Sequence, residues 1–156
     1  MCPAHRPVEE DMRQFLAVVA LAFGCAAAAD EKDPKAELER FTGTWQAVSY
    51  VRDGKELPVA EAEKVRLVVS GEKYTLTDGG EAIEGTHKRD PTKTPMQIDA
   101  VRSKGPHKGE ALKGVYQLNA DSFLVSFSAP GKGRPATLGA KDGLGLRVIV
   151  FKREKK

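Results

Sequence analysis

Beyond residue 25 the sequence has no cysteine: Cys2 and Cys25, the only two, both fall within the first thirty residues. A disulfide in the remaining domain is thereby excluded, so packing alone must hold it, even at an oxidising destination. Aromatic residues are scarce, 6% with a single tryptophan, and the core must be built largely from aliphatic side chains. Of three histidines, His5 lies near the start, leaving His87 and His107. Neither has an acid or cysteine at metal-ligand spacing. Both read as solvated surface residues, and no metal or cofactor is expected. No apolar run reaches the about 20 residues of a membrane span. Neither sign of charge dominates: the net is +3, or +4 once the two bases and three acids of residues 1–29 are set aside. That surplus is too modest to imply a nucleic-acid partner.

What is present fits one domain. The chain has 156 residues, 40% hydrophobic and 30% charged, enough to bury a core and fold without staples. Residues 1–29 read as a leader outside that domain. "MRQFLAVVALAFGCAAAAD" begins at Met12 with a cation at Arg13, continues through an apolar stretch from Phe15 to Phe23, and exits in small residues. This is the pattern of a secretory signal over 12–29, with cleavage expected after Ala28 or Ala29, and it predicts a periplasmic or extracellular location. The acidic, Pro-bearing residues 1–11 suit no signal n-region and read as a gene-model extension. "LAFGC" opens a second route, lipoprotein processing before Cys25, although Phe23 and Ala22 depart from the usual residues there. Membrane attachment would follow only from that route.

After the leader, 30–39 reads as a polar tether carrying a short helix, with Asp33 as N-cap and Pro34 at the first helical position. From 40 to 154 strand-like alternation takes over. Strands are predicted at 44–51, 65–70, 74–78, 81–90, 96–103, 110–119, 122–130 and 144–154, with a short helix near 58–64. Tyr74 and Leu76 share one face, and so do Phe123, Val125 and Phe127, while Ser126 and Ser128 oppose them. One wet and one buried face is the habit of antiparallel strands. Short turns at this spacing predict an all-β, eight-stranded antiparallel up-and-down barrel or a sandwich. "LRVIVFK" is apolar on both faces, which places the last strand centrally or in a closed barrel. No internal repeat is visible.

Gly43-Thr44-Trp45, at the head of the first strand after a short helix, resembles the Gly-x-Trp signature of lipocalin and wider calycin barrels. The resemblance implies that Trp45 plugs the closed end, that Gly43 allows close backbone approach, and that a base from the last strand, Arg153, packs across the indole. The ordered blocks "GTW", "RDGKELP", "GEKYTLT", "DPTKTPMQID", "GPHKG", "GVYQL", "PGKGRP" and "VFKRE" are similar to an uncharacterised family of small secreted lipocalin-like domains expanded in Planctomycetes. That likeness spans about 40–154 and implies secretion and the barrel, but it supplies no catalytic residues. The competing reading makes Trp45 an ordinary core aromatic of a small β-sandwich.

Signs of catalysis are few. No serine occupies a nucleophile elbow, and Glu81, Glu84 and Asp99 read as solvated acids on polar strand faces. "PGKGRP" lacks the Ser/Thr and following helix that a phosphate loop needs. The chain is not expected to be an enzyme. In an up-and-down barrel the connections at 53–64, 78–81, 103–109 and 131–143 share one end. Lys104, His107, Lys108, Lys132, Arg134 and Lys141 would converge there as a basic mouth for an anionic head group or polysaccharide, partly offset by Asp53, Glu56, Glu61 and Glu63. Inside, Tyr74, Leu76, Met96, Ile98, Tyr116, Leu118, Phe123, Val125 and Phe127 are the candidate lining for a small apolar or amphipathic ligand. The alternative is a monomeric cell-envelope protein with a packed barrel, acting on partners through its loops. An interior of at least ~300 Å³ would favour ligand binding.

Overall fold

The computed structural model describes residues 33–139 and 145–155. The leader with Cys25, the first residues of the tether, and Lys141 lie outside them. The described chain runs α1 (Pro34–Phe41), β1 (Gly43–Arg52), β2 (Lys55–Glu56), α2 (Val59–Ala62), β3 (Val65–Ser70), β4 (Lys73–Asp78), β5 (Glu81–Asp90), β6 (Met96–Lys104), β7 (Ala111–Leu118), β8 (Ser122–Phe127) and β9 (Arg147–Arg153).

Alternation sets the wall. In β3, Val65, Leu67 and Val69 are buried while Arg66, Val68 and Ser70 face water. β5 and β6 repeat this two-residue period over their central residues, offering one apolar face to a common interior. Each long strand pairs antiparallel with its neighbour in the order β1, β3, β4, β5, β6, β7, β8, β9, and β9 returns to β1. The closing ladder runs from Trp45 opposite Arg153 to Arg52 opposite Arg147. The result is a closed eight-stranded antiparallel barrel without free long edges.

Two local features depart from simple alternation. The register of β1 on β9 shifts between Ala47 and Ser49. This bulge turns Tyr50 into the core and Val51 outward. Asp53 (φ 52°) and Gly54 (φ 77°) then form a two-residue turn of positive φ. The turn folds β2 back along the end of β1, with Val51 opposite Glu56.

The short helix expected within 30–39 spans Pro34–Phe41, with Asp33 as its N-cap. Asp33 accepts from the Lys35 amide at 3.0 Å, and the helix packs its inner face on the barrel floor, burying Glu37 and Phe41. Trp45, with 0% of its surface exposed, donates from Nε1 to the Phe41 carbonyl at 2.9 Å. Arg153 lays its guanidinium 4.1 Å from the indole centroid. It donates to the carbonyls of Thr42 (3.0 Å), Ala120 (3.1 Å) and Arg40. One cation therefore joins the helix exit, the first strand, the β7–β8 turn and the last strand, combining a cation–π contact with charge-assisted hydrogen bonds.

Beneath the helix lies a buried polar cluster. Tyr116 donates its hydroxyl to Glu37 Oε1 at 3.1 Å, and Arg40 reaches Oε2 at 3.3 Å. Arg89 donates to the Glu37 carbonyl at 3.1 Å with its guanidinium 4.3 Å over the Phe41 ring. Burial, reinforced by the Glu37 carboxylate, pushes the Tyr116 hydroxyl far above its usual range.

The opposite wall has a second apolar layer outside the sheet. Val51 and Val148, outward by register, pack with Leu146 and the partly buried Leu124. The segment after β8 lies against this wall. The Ser128 amide donates to the Lys113 carbonyl (3.0 Å) and the Gly139 amide to Ser126 Oγ (2.9 Å). The two-sided apolarity of β9 thus serves two cores, Ile149 and Phe151 inside and Val148 outside.

Candidate functional site

Strands β1, β4, β6 and β8 run toward the end opposite Trp45, and the inward residues of that half decide what the barrel can hold. They leave an apolar cavity of about 90 Å³. Pockets for drug-sized ligands commonly reach ~300–1,000 Å³, so most of this interior is filled by side chains. Of the nine expected lining residues, Tyr74, Leu76, Ile98, Phe123, Val125 and Phe127 border the cavity. Met96, Tyr116 and Leu118 do not. Met96 pairs with Tyr116 near the closed end, where Tyr116 and Leu118 belong to the packed core. All three instead border a wide groove of about 600 Å³ beside α1 and the 91–95 turn.

Two arginines and a histidine also border the cavity, and all three lie on inward strand positions. Arg102 continues the Ile98, Ala100 row of β6 and is only 6% exposed. Its Nη1 donates to the Pro106 carbonyl at 3.0 Å, and its backbone exchanges hydrogen bonds with Gly109 and Glu110. The 105–110 loop thereby fixes it. Arg147 precedes Ile149 and Phe151 on β9 and stands opposite Phe127. Among the described residues neither arginine has a carboxylate within ion-pair distance. Arg52, opposite Arg147 on β1, is engaged: it donates to Tyr50 Oη at 3.0 Å and lies 3.8 Å from Asp78.

His87 is the third. Expected at the surface, it is 3% exposed, because it shares the inward face of β5 with Ile83 and Gly85. Phe41 meets it edge-on at 5.3 Å and Tyr74 lies 6.4 Å away. Neither ring nitrogen has a hydrogen-bond partner of good geometry. Burial first, then the charge of Arg89, lowers its pKa to about 4, opposed weakly by the Gly71 backbone. The imidazole is therefore neutral near pH 7.

Among the described residues, three of the expected mouth cations are engaged with carbonyls or acids. Arg134 folds back onto the outer wall, donating to the Ile98 (3.0 Å) and Gly114 (2.7 Å) carbonyls and to Asp99 at 2.6 Å. Lys104 pairs with Glu84 at 3.0 Å, and His107 Nδ1 lies 3.1 Å from Glu110. Lys108 and Lys132 are exposed. Glu84 and Asp99, expected as solvated acids, each pair with a base. The Gly/Pro-rich loop docks on carbonyls of the wall, which sequence order does not reveal. The cavity's cations come from strands, where simple alternation already pointed Arg102 and Arg147 inward; the discounted signal was a charge at a core-facing position.

Among the described residues no group of three His, Cys, Asp or Glu gathers to hold a metal, and no helix is long and apolar enough to cross a membrane. No protein-family model and no curated protein matches the chain.

Proposed function

We propose that this chain is an exported barrel domain, akin to the small secreted lipocalin-like family, that binds a small amphipathic molecule without transforming it, in the open half of the cylinder. One observation carries the reading: an apolar cavity of about 90 Å³ bordered by two arginines that no acid among the described residues neutralises. Burying a cation is costly unless an anion or a full set of acceptors meets it, and a ligand would supply that partner. The volume excludes long-chain lipids in this conformation. Export rests on the signal-like 12–29 segment. Native mass spectrometry of the protein secreted by its own host tests the reading. The expected spectrum contains a small adduct released on gentle activation.

The small volume also favours a second reading, a packed barrel that presents its loops to a protein partner. A bare mass in that experiment, with unchanged stability on adding small organic acids, would select it.

A further inference from the structure

Resting on the binding reading above, we infer the ligand's chemical class: a short-chain monocarboxylic acid carrying an oxo or hydroxyl group a few carbons away. Its carboxylate meets Arg102, with Arg147 as second cation, and its far oxygen meets His87.

Each part of the ligand answers a separate feature of the cavity. Arg102 is 6% exposed, and among the described residues the Pro106 carbonyl is the one acceptor its side chain meets. A planar guanidinium with donors to spare is matched by a carboxylate, which accepts two parallel hydrogen bonds. Arg147 borders the same space and adds a second positive charge. Size is bounded by the volume: at about 10–15 Å³ of such space per water-sized group, 90 Å³ admits about six to nine heavy atoms. The walls between the polar ends are apolar, Leu76, Ile98 and Phe123 among them, so the ligand's middle is hydrocarbon.

At the far end stands His87, buried, bordering the cavity and, among the described residues, without a hydrogen-bond partner of good geometry on either nitrogen, the Gly71 backbone being its polar neighbour of consequence. In register Arg102 lies opposite Gly85, and His87 is two residues further along β5 opposite Ala100. Two residues of strand span about 7 Å, and the hydrogen bond to Pro106 holds the Arg102 guanidinium at one end of that gap. A chain of four to six carbons bridges such a gap on the order of 7 Å. A neutral imidazole donates one hydrogen bond and accepts another, so it suits a ketone or a hydroxyl better than a second carboxylate.

Isothermal titration calorimetry on the full-length chain tests this with four probes: 4-oxopentanoate, 3-methylbutanoate, 3-methylbutanamide and dodecanoate. The expected order is 4-oxopentanoate, then 3-methylbutanoate about tenfold weaker, as one buried hydrogen bond is lost. The amide and dodecanoate should not bind. Arg102→Gln should lower carboxylate affinity at least about tenfold. Arg147→Gln, on a partly exposed residue, should do so to a lesser extent and guards against misfolding of the first variant. Lys132→Gln, in an exposed turn, should change nothing. Equal binding of the amide and the acid would overturn the inference while leaving a binding cavity in place. Equal affinity for the two short acids would overturn the role of His87 and with it the proposed class. Silence from all four probes would remove both this inference and the binding reading.

Discussion

The guanidinium of Arg153 fills the space that a side chain at Gly43 would need: a Cβ there would stand 2.6 Å from Arg153 Nη1, on a backbone whose φ of 142° already excludes most residues. The glycine of the Gly-Thr-Trp triplet is thus matched to the last strand's arginine rather than to the tryptophan. Gly43→Ala is expected to destabilise the barrel by about 1–3 kcal/mol from backbone strain and displacement together. In an Arg153→Ala background the cost should fall, because only the strain remains. Urea denaturation of the four proteins of this double-mutant cycle measures the difference.

Trp45→Ala empties the largest fully buried site, and the loss should be about 3–5 kcal/mol. Arg153→Ala should cost less, about 1–3 kcal/mol, since water can reach part of what it leaves behind. Equal stability of both variants with the parent in thermal unfolding would contradict the closed-end plug.

His87 makes the barrel acid-sensitive within a definite window. Its folded pKa is lowered to about 4 from an ordinary 6.5, chiefly by burial. Between those values the unfolded chain holds more protons than the folded one, so stability falls as pH drops from about 6.5 to about 4 and this group contributes no further loss below. The effect is on the order of 3 kcal/mol across the window. His87→Leu should flatten that part of the stability-versus-pH curve while leaving stability at pH 7 equal or higher, as an unpaired buried polar group is removed.

Arg134 ties the segment after β8 to the outer wall through two carbonyls and Asp99. Arg134→Ala should expose 130–139 to proteases and speed amide exchange on the outward Val148 layer, at a stability cost of about 1–3 kcal/mol. Cleavage at the parental rate would show that the segment is held by other contacts.

Much of this architecture was legible in residue order. Val65–Ser70 and Glu81–Asp90 form strands over the predicted spans, because alternation and flanking turn residues agree there. The two-residue β2 was not, since Lys55 and Glu56 carry no apolar period and pair only because the Asp53-Gly54 turn returns them to β1. Glu37 reads as a solvated acid until Tyr116, nearly eighty residues later, is seen to meet it. The bulge after Ala47 reverses the faces of β1, which a strict two-residue period cannot anticipate. Two-thirds of the expected lining residues border the cavity. The three misplaced residues sit toward the closed end, and depth along the barrel axis depends on strand register. The polar half of the site was missed because Arg102, Arg147 and His87 look like surface residues by type, although their positions are inward.

The central claim is that the open half of the barrel is a binding site, and an NMR titration of the full-length chain with 4-oxopentanoate tests it most directly. The account predicts saturable shifts at the Arg102 and Arg147 side chains, the His87 ring and the Tyr74 and Phe127 rings, with the groove beside α1 unmoved. Shifts confined to that groove around Lys93 and Gln117, or none at all, would contradict it.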